Sequence, residues 1–258
     1  MSLRSQLGDA RRQLLCSLHS RLVPLAGGPI VSFGFDDFPR SAYMAGGEIL
    51  KSFGARGTYY ISLGLMNTSN DLGEQFRLDD LHSLVKDGHE LASHTFSHLS
   101  SRRVSLSAFL EDARRGRNEL RNINGGADSA NFAYPYGDIT LAAKKSLGSE
   151  MASCRGTTGG LNGPEVDLNL LRANSLYGDI DQFERVQKLI LQNEKQSSWL
   201  IFYTHDVRPN PSRFGCTPAL FEAAVSFAAG RGSRMMTVAE VLKSTTRITT
   251  DRLVPVSV

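Results

Sequence analysis

An α/β fold on a mainly parallel sheet, curled into a barrel, is what this sequence predicts, and three observations carry the prediction. Short β-rich runs alternate with helix-period segments from one end to the other. About seven or eight such strand–helix units suggest a barrel closed on itself, with an open doubly wound sheet as the alternative. The chain has 258 residues, 41% of them hydrophobic, and shows no Pro- or Ser-rich linker, repeat or low-complexity tract, so it can bury one large core.

In order, "PIVSFGF" is the first strand, followed by a helix carrying Ile49, Leu50 and Phe53 that stops at Gly54. "GTYYISLGL" is the next strand. Asp79 or Asp80 then caps a helix bearing Leu81, Leu84 and Val85, which Gly88 ends. "HELAS" follows as a strand, and Leu106, Phe109, Leu110, Ala113 and Leu120 mark a long amphipathic helix. The second half continues with "NFAYPYG", a helix around Asp138 to Leu147, "MASCRG", "LLRANSL", a helix through Phe183, Val186, Leu189 and Ile190, and "WLIFYTH". Thr217 and Pro218 make an N-cap and first-turn pair for another helix, and "RMMTV" closes the series. Residues 1–28 are expected to form a helical extension, with Leu14, Leu15, Leu18 and Leu22 on one face, ahead of a single domain over 29–258.

A formal charge of +3, mixed along the chain, gives no reason to expect a nucleic-acid partner. Cys16, Cys154 and Cys216 are far apart and in no CxxC spacing, which argues against a disulfide framework or a cysteine zinc site and for a reducing compartment. The N-terminus lacks the unbroken apolar core of a secretion signal, and no stretch is long and apolar enough to span a bilayer. The expectation is a cytoplasmic protein, with peripheral membrane contact the most it would have.

Chemistry is concentrated at strand ends. "FDDF" places Asp36 and Asp37 side by side at the end of the first strand, where neighbouring side chains point in different directions and can do different jobs. "SHTFSH" supplies His94 and His98 four residues apart, a spacing that on a helical turn brings both imidazoles within reach of one cation. Two His and a carboxylate leave an open position for water on zinc or a similar ion, so one aspartate can be a ligand while its neighbour faces that water as a base. "WLIFYTHD" ends an apolar strand on His205, a residue able to protonate a leaving amine, with Tyr203 two residues before it. In "FAYPYGD" the turn can aim a backbone N–H at a developing oxyanion; Pro135 has none, which leaves Tyr136 as the donor. The loop after His205 brings Asp206, Arg208, Arg213 and Phe214 to the same face, where long loops bind substrate. Tyr59, Tyr60 and Trp199 lie within β-forming runs and read as packing residues.

Taken in order, "GFDDF", "SHTFSH", "AYPYG" and "FYTH" resemble the signature of the polysaccharide deacetylases, carbohydrate esterase family 4, which share the NodB homology domain; the likeness covers roughly residues 30 to 240. The resemblance implies a distorted (β/α) barrel and a divalent metal, usually Zn2+. It implies Asp36 as general base, Asp37, His94 and His98 as metal ligands, and His205 as catalytic acid. Its implied reaction is removal of an N-acetyl group from an amino sugar in a glycan or lipid-linked precursor. Deformylation or hydrolysis of another amide would use the same residues, and an inactive glycan-binding or assembly protein is the reading from a different class. Two positions depart from the family pattern. Phe38 stands where the family has Gly and is expected to line the floor of the cleft, with Pro135, Tyr203, Asp206 and Arg208 as further substrate contacts. Ala133 stands where the family has an Arg that orients the catalytic aspartate; Arg172 in "LLRANSL" is the candidate replacement, and Asp206 the candidate partner of His205.

Overall fold

The structure, a computed structural model, describes residues 17–251. Leu14, Leu15 and Cys16 lie outside these, so the leading helix is not described; Leu18 and Leu22 are exposed, and Leu22 opens a strand. In chain order the strands are β1 (Leu22–Pro24), β2 (Ile30–Asp37), β3 (Thr58–Ile61), β4 (Ser69–Asn70), β5 (Gly73–Glu74), β6 (Glu90–Ser93), β7 (Asn131–Ala133), β8 (Ser153–Arg155), β9 (Glu165–Asp167), β10 (Asn174–Ser175), β11 (Trp199–Thr204) and β12 (Arg234–Met235). The main sheet runs β10-β11-β2-β3-β6-β7-β8 and is parallel throughout, with β12 also pairing with β2. Curled and backed by helices, it is a distorted (β/α) barrel, as expected from the sequence. β1 pairs with β9 and β4 with β5 as small antiparallel ladders.

Alternation along β2 sorts its residues by environment. Val31, Phe33 and Phe35 pack outward in the main hydrophobic core beneath the helices. Ser32, Gly34 and Asp36 share the opposite face, where Ser32 accepts the Trp199 indole N–H at 2.9 Å and donates to the Met236 carbonyl. Inside the barrel Tyr60, Ala92 and Ala133 touch one another, and two of the three are small.

Most expected helices are present with identifiable caps. Helix Leu106–Ile123 is capped by Ser105, Leu141–Glu150 by Thr140, and Pro218–Gly230 by Thr217 with Pro at its start. In helix Leu78–Lys86 the cap is Arg77, and Asp80, three residues on, takes the Arg77 backbone N–H on its carboxylate at 2.8 Å. No local pattern announces the π-helical turn Ala42–Gly47 that precedes helix Glu48–Ser52. The HxxxH spacing is also not helical. His94 to His98 form a bend after β6, with Thr95 and His98 at φ 60° and 56°, so loop geometry does the work expected of a helical turn.

Candidate active site

The site forms where the C-terminal ends of the parallel strands meet. β2 ends in a tight bend: the Phe38 N–H donates to the Asp36 carbonyl at 2.7 Å around Asp37, whose φ is 63°. This γ-turn-like reversal lets two adjacent carboxylates face one cleft. Non-glycine residues in the left-handed region cost of order 1–3 kcal/mol each, and Asp37, Phe38, Thr95, His98 and Tyr136 all adopt it at this mouth. Such strain persists only where the surrounding packing over-determines it, and it concentrates where a site requires it.

Asp37, His94 and His98 converge, with one ligand atom from each lying within 4.8 Å of the others. The Asp37 Oδ1 is 3.4 Å from His94 Nε2 and 3.0 Å from His98 Nε2, yet it is buried and makes no hydrogen bond of proper geometry. His94 Nδ1 lies 2.8 Å from the Ala133 carbonyl. A carbonyl can only accept, so Nδ1 carries the proton and Nε2 presents a lone pair to the site. Burial would raise the Asp37 pKa, but the adjacent imidazoles of His98, His94 and His205 outweigh it and hold the carboxyl well below its usual range. Burial depresses His94 to about 4, so it is neutral and ready to ligate. A buried carboxylate with an unsatisfied oxygen, beside two imidazoles, is a donor set that fits a divalent cation such as zinc.

Asp36, 4% exposed, is paired with the guanidinium of Arg155, the last residue of β8. Arg172, the partner expected from the sequence, is elsewhere: its guanidinium donates to the Gly159 carbonyl at 3.1 Å and its backbone N–H to Asn162. The register explains the substitution of partners. Ala133 on β7 is the direct pairing neighbour of Arg155 on β8, so the small side chain leaves room for a guanidinium arriving from the next strand. Arg155 is itself fully buried between two rings, 4.5 Å from the centre of Tyr60 and 5.0 Å from that of Tyr203. Burial opposes its charge, but Asp36 more than compensates and drives the guanidinium pKa further up, so it is always charged. The signal for Arg155 is present in "MASCRG", a strand run ending on a cation, as the other site residues end theirs.

His205 follows β11. Its Nδ1 faces the Phe214 carbonyl at 3.1 Å, which fixes a proton there and frees Nε2. Phe214 and Tyr177 pack about the ring at 5.5 and 6.0 Å. Asp206 is therefore not the partner of His205; fully buried, it accepts from the Ser212 N–H at 2.8 Å and ion-pairs with Arg208. Tyr136, exposed and at φ 60°, lies against the His98 ring at 4.5 Å. Asp36, Asp37, His94, His98 and His205 line a cleft of about 830 Å³ whose walls also include Tyr136, Tyr177, Tyr203 and Phe214.

Three of the other expected substrate contacts lie outside the cleft. Phe38 has no exposed surface and stacks on Phe76 at 5.1 Å, because its φ of 68° turns it into the core under the next loop. Pro135 is buried in its turn. Arg208 lies behind the cleft wall, donating to the Asp71 carbonyl at 3.1 Å. Tyr203 does line the cleft.

A family model described as polysaccharide deacetylase matches residues 26–152. Among solved structures, a mutant form of peptidoglycan deacetylase PdaC from Bacillus subtilis superposes at TM-score 0.55 with 16% identity, over 87% of this chain and 95% of that one. The Xyl-CE4 domain of a xylanase from the hindgut metagenome of Trinervitermes trinervoides gives 0.55 and 19%, over 84% and 91%. A family 4 acetyl xylan esterase from Clostridium thermocellum, solved with a cobalt ion, gives 0.55 and 15%, over 83% and 91%. No curated protein sequence matches. At these identities the superpositions speak for the barrel, and the match over residues 26–152, together with the ordered motifs now seen around one cleft, makes the chain similar to the polysaccharide deacetylases, a family of hydrolases.

Proposed function

We propose that the protein is a metal-dependent deacetylase that removes the N-acetyl group from an amino sugar of a glycan or a lipid-linked glycan precursor, working in the cytoplasm. The observation that carries this reading is the convergence of Asp37, His94 and His98 on one point of a cleft that Asp36 and His205 also line. A divalent ion there, zinc being the expected one, would polarise the acyl carbonyl and lower the pKa of a water molecule. Asp36, held and oriented by Arg155, takes the proton from the attacking water. The Tyr136 N–H, on its left-handed turn, is the proposed donor to the oxyanion. His205 gives a proton from Nε2 to the departing nitrogen, which requires the doubly protonated ring because Nδ1–H is committed to Phe214. The buried free thiols Cys154 and Cys216 support a reducing compartment. Among the described residues no helix is long and apolar enough to cross a membrane.

The test is metal content together with acetate release from N-acetylated sugars. Purified protein is expected to hold about one divalent ion per chain, and Asp36→Asn should retain it while losing at least about 100-fold in turnover. Failure to bind any ion when zinc is supplied would remove the hydrolase reading, and full activity in Asp36→Asn would show the base is misassigned.

A further inference from the structure

Two loops flank the cleft on either side of the end of β2. One follows β3 and carries the β4–β5 hairpin, and the other follows β11. Asn70, Asp71 and Leu72 from the first, and Ser212, Arg213 and Phe214 from the second, line the same cleft. These loops are joined to each other. The Arg208 guanidinium donates to the Asp71 carbonyl at 3.1 Å and ion-pairs with the fully buried Asp206 at 2.8 Å, while Asp206 also holds the Ser212 N–H. Gly73, at φ 102°, lets the guanidinium lie against the hairpin backbone: a Cβ there would sit 2.9 Å from Arg208 Nη1.

Both ends of this bridge are anchored in packed structure. The β3 loop is held from beneath by the Phe38–Phe76 stack, the Phe76 N–H on the Phe38 carbonyl, and the Pro39–Gln75 bridge, with Arg40 paired to Glu74 at 3.6 Å and to Asp80 at 2.8 Å. In the β11 loop the Cys216 N–H returns to the Asp206 carbonyl at 2.9 Å, and Gly215 packs directly on the Asp206 carboxylate. The rest of the rim, with Tyr136, Thr157 and Tyr177, follows β7, β8 and β10, at the two margins of the sheet.

We propose that Arg208 is a specificity-determining residue: by tying the β3 and β11 loops together it dams one end of the cleft, so the enzyme acts on a terminal N-acylated sugar or a short glycan and not on units inside a long chain. A polymer threaded across the catalytic centre needs an exit at both ends. A bridged wall, fixed to the buried Asp206 at one end and to the hairpin pinned by Phe38 and Phe76 at the other, leaves one, and the sugar that reaches the metal ligands is then the last of its chain. This deepens the proposed deacetylase reading and rests on it.

The test compares N-acetylglucosamine oligomers, from the monosaccharide to the pentasaccharide, with a pentasaccharide whose two terminal residues are already free amines. Wild-type kcat/KM for the terminally acetylated pentasaccharide is expected to exceed that for the blocked one by at least about tenfold, a difference of the size that excluding one subsite produces. Mass spectrometry of early products should place the first free amine at a chain end. Arg208→Ala should narrow the ratio severalfold by opening the wall. Equal rates on the two pentasaccharides, or an unchanged ratio in a folded Arg208→Ala, would overturn the proposal while leaving the deacetylase reading intact. Calorimetric titration of the same two pentasaccharides gives a readout free of turnover. Tighter binding of the terminally acetylated one supports the dam even if no acetate is released, a result that would sink the deacetylase reading alone, and equal affinity counts against the dam.

Discussion

At the scale of single residues, the site turns on where charge is kept and how it is neutralised. Asp36 is a carboxylate inside a barrel, which is tolerable only because a guanidinium lies against it, and Arg155 is tolerable there only because of Asp36 and the two ring faces. Removing one partner of such a pair strands the other. Arg155→Ala is therefore expected to cost about 3–5 kcal/mol of stability and to lower kcat far more than it raises KM. The double variant with Asp36→Asn should recover much of that stability, as chemical denaturation in a double-mutant cycle would read. Full additivity would show that the pair is not coupled. Phe38 offers a second test at this scale. Phe38→Ala loses packing on Phe76 and Tyr59 and keeps the unfavourable φ of 68°, whereas Phe38→Gly loses the same packing and relieves the backbone. Both should be destabilised by about 3 kcal/mol or more, and the glycine variant should be more stable than the alanine one by about 1 kcal/mol. The reverse order would mean the left-handed residue carries no strain.

Elements tie the catalytic end of the barrel to its base. At the start of β6, Glu90 is half-buried and accepts hydrogen bonds from Thr58, Asn131 and the Ala239 N–H, so β3, β6 and β7 are joined to the start of helix Val238–Asp251. Burial raises the Glu90 pKa despite those donors. Its neighbour His89 accepts the Gly57 N–H on Nδ1 at 2.9 Å and packs edge-on against Tyr59. Desolvation first, with the charge of Arg56 also contributing and Asp87 opposing, takes its pKa down to about 4. The unfolded chain holds the His proton up to pH about 6.5 and the folded chain only to about 4, so between these the unfolded state binds more protons. Stability from this residue is complete above pH 6.5 and is lost as pH falls toward 4, with a slope approaching about 1 kcal/mol per pH unit. His94 titrates in the same window, so the measurement is a difference: His89→Asn, which keeps an acceptor and does not titrate, should show a shallower acid loss than wild type at matched metal loading. Identical acid profiles would refute it.

For the whole molecule, the legible part and the hidden part divide along physical lines. Strand–helix alternation and strand-end chemistry depend on local pattern, so the barrel, the ends of β2 and β11 and the set Asp36, Asp37, His94, His98 and His205 can be read directly. What stays hidden depends on register and on backbone handedness. Arg155 is found only by knowing that β8 lies beside β7 with Ala133 opposite it. Phe38 reads as a cleft residue because nothing in "FDDF" announces a left-handed residue that turns the ring inward, and Arg208 reads as a substrate contact because its acceptor, the Asp71 carbonyl, is 137 residues away. Composition is the simpler case: the mixed charge of +3 includes surface pairs such as Arg114–Glu150 and Arg231–Glu194, which neutralise each other where they stand.

The side-by-side placement of Ala133 and Arg155 limits how either position can be substituted. The two positions are mutually dependent: arginine introduced at 133 would crowd two cations into the space of one carboxylate, and losing arginine at 155 alone would leave none. Neither change is neutral by itself, so the two positions can be exchanged only as a pair, and the arginine that holds Asp36 is found through the strand pairing and not through a single motif.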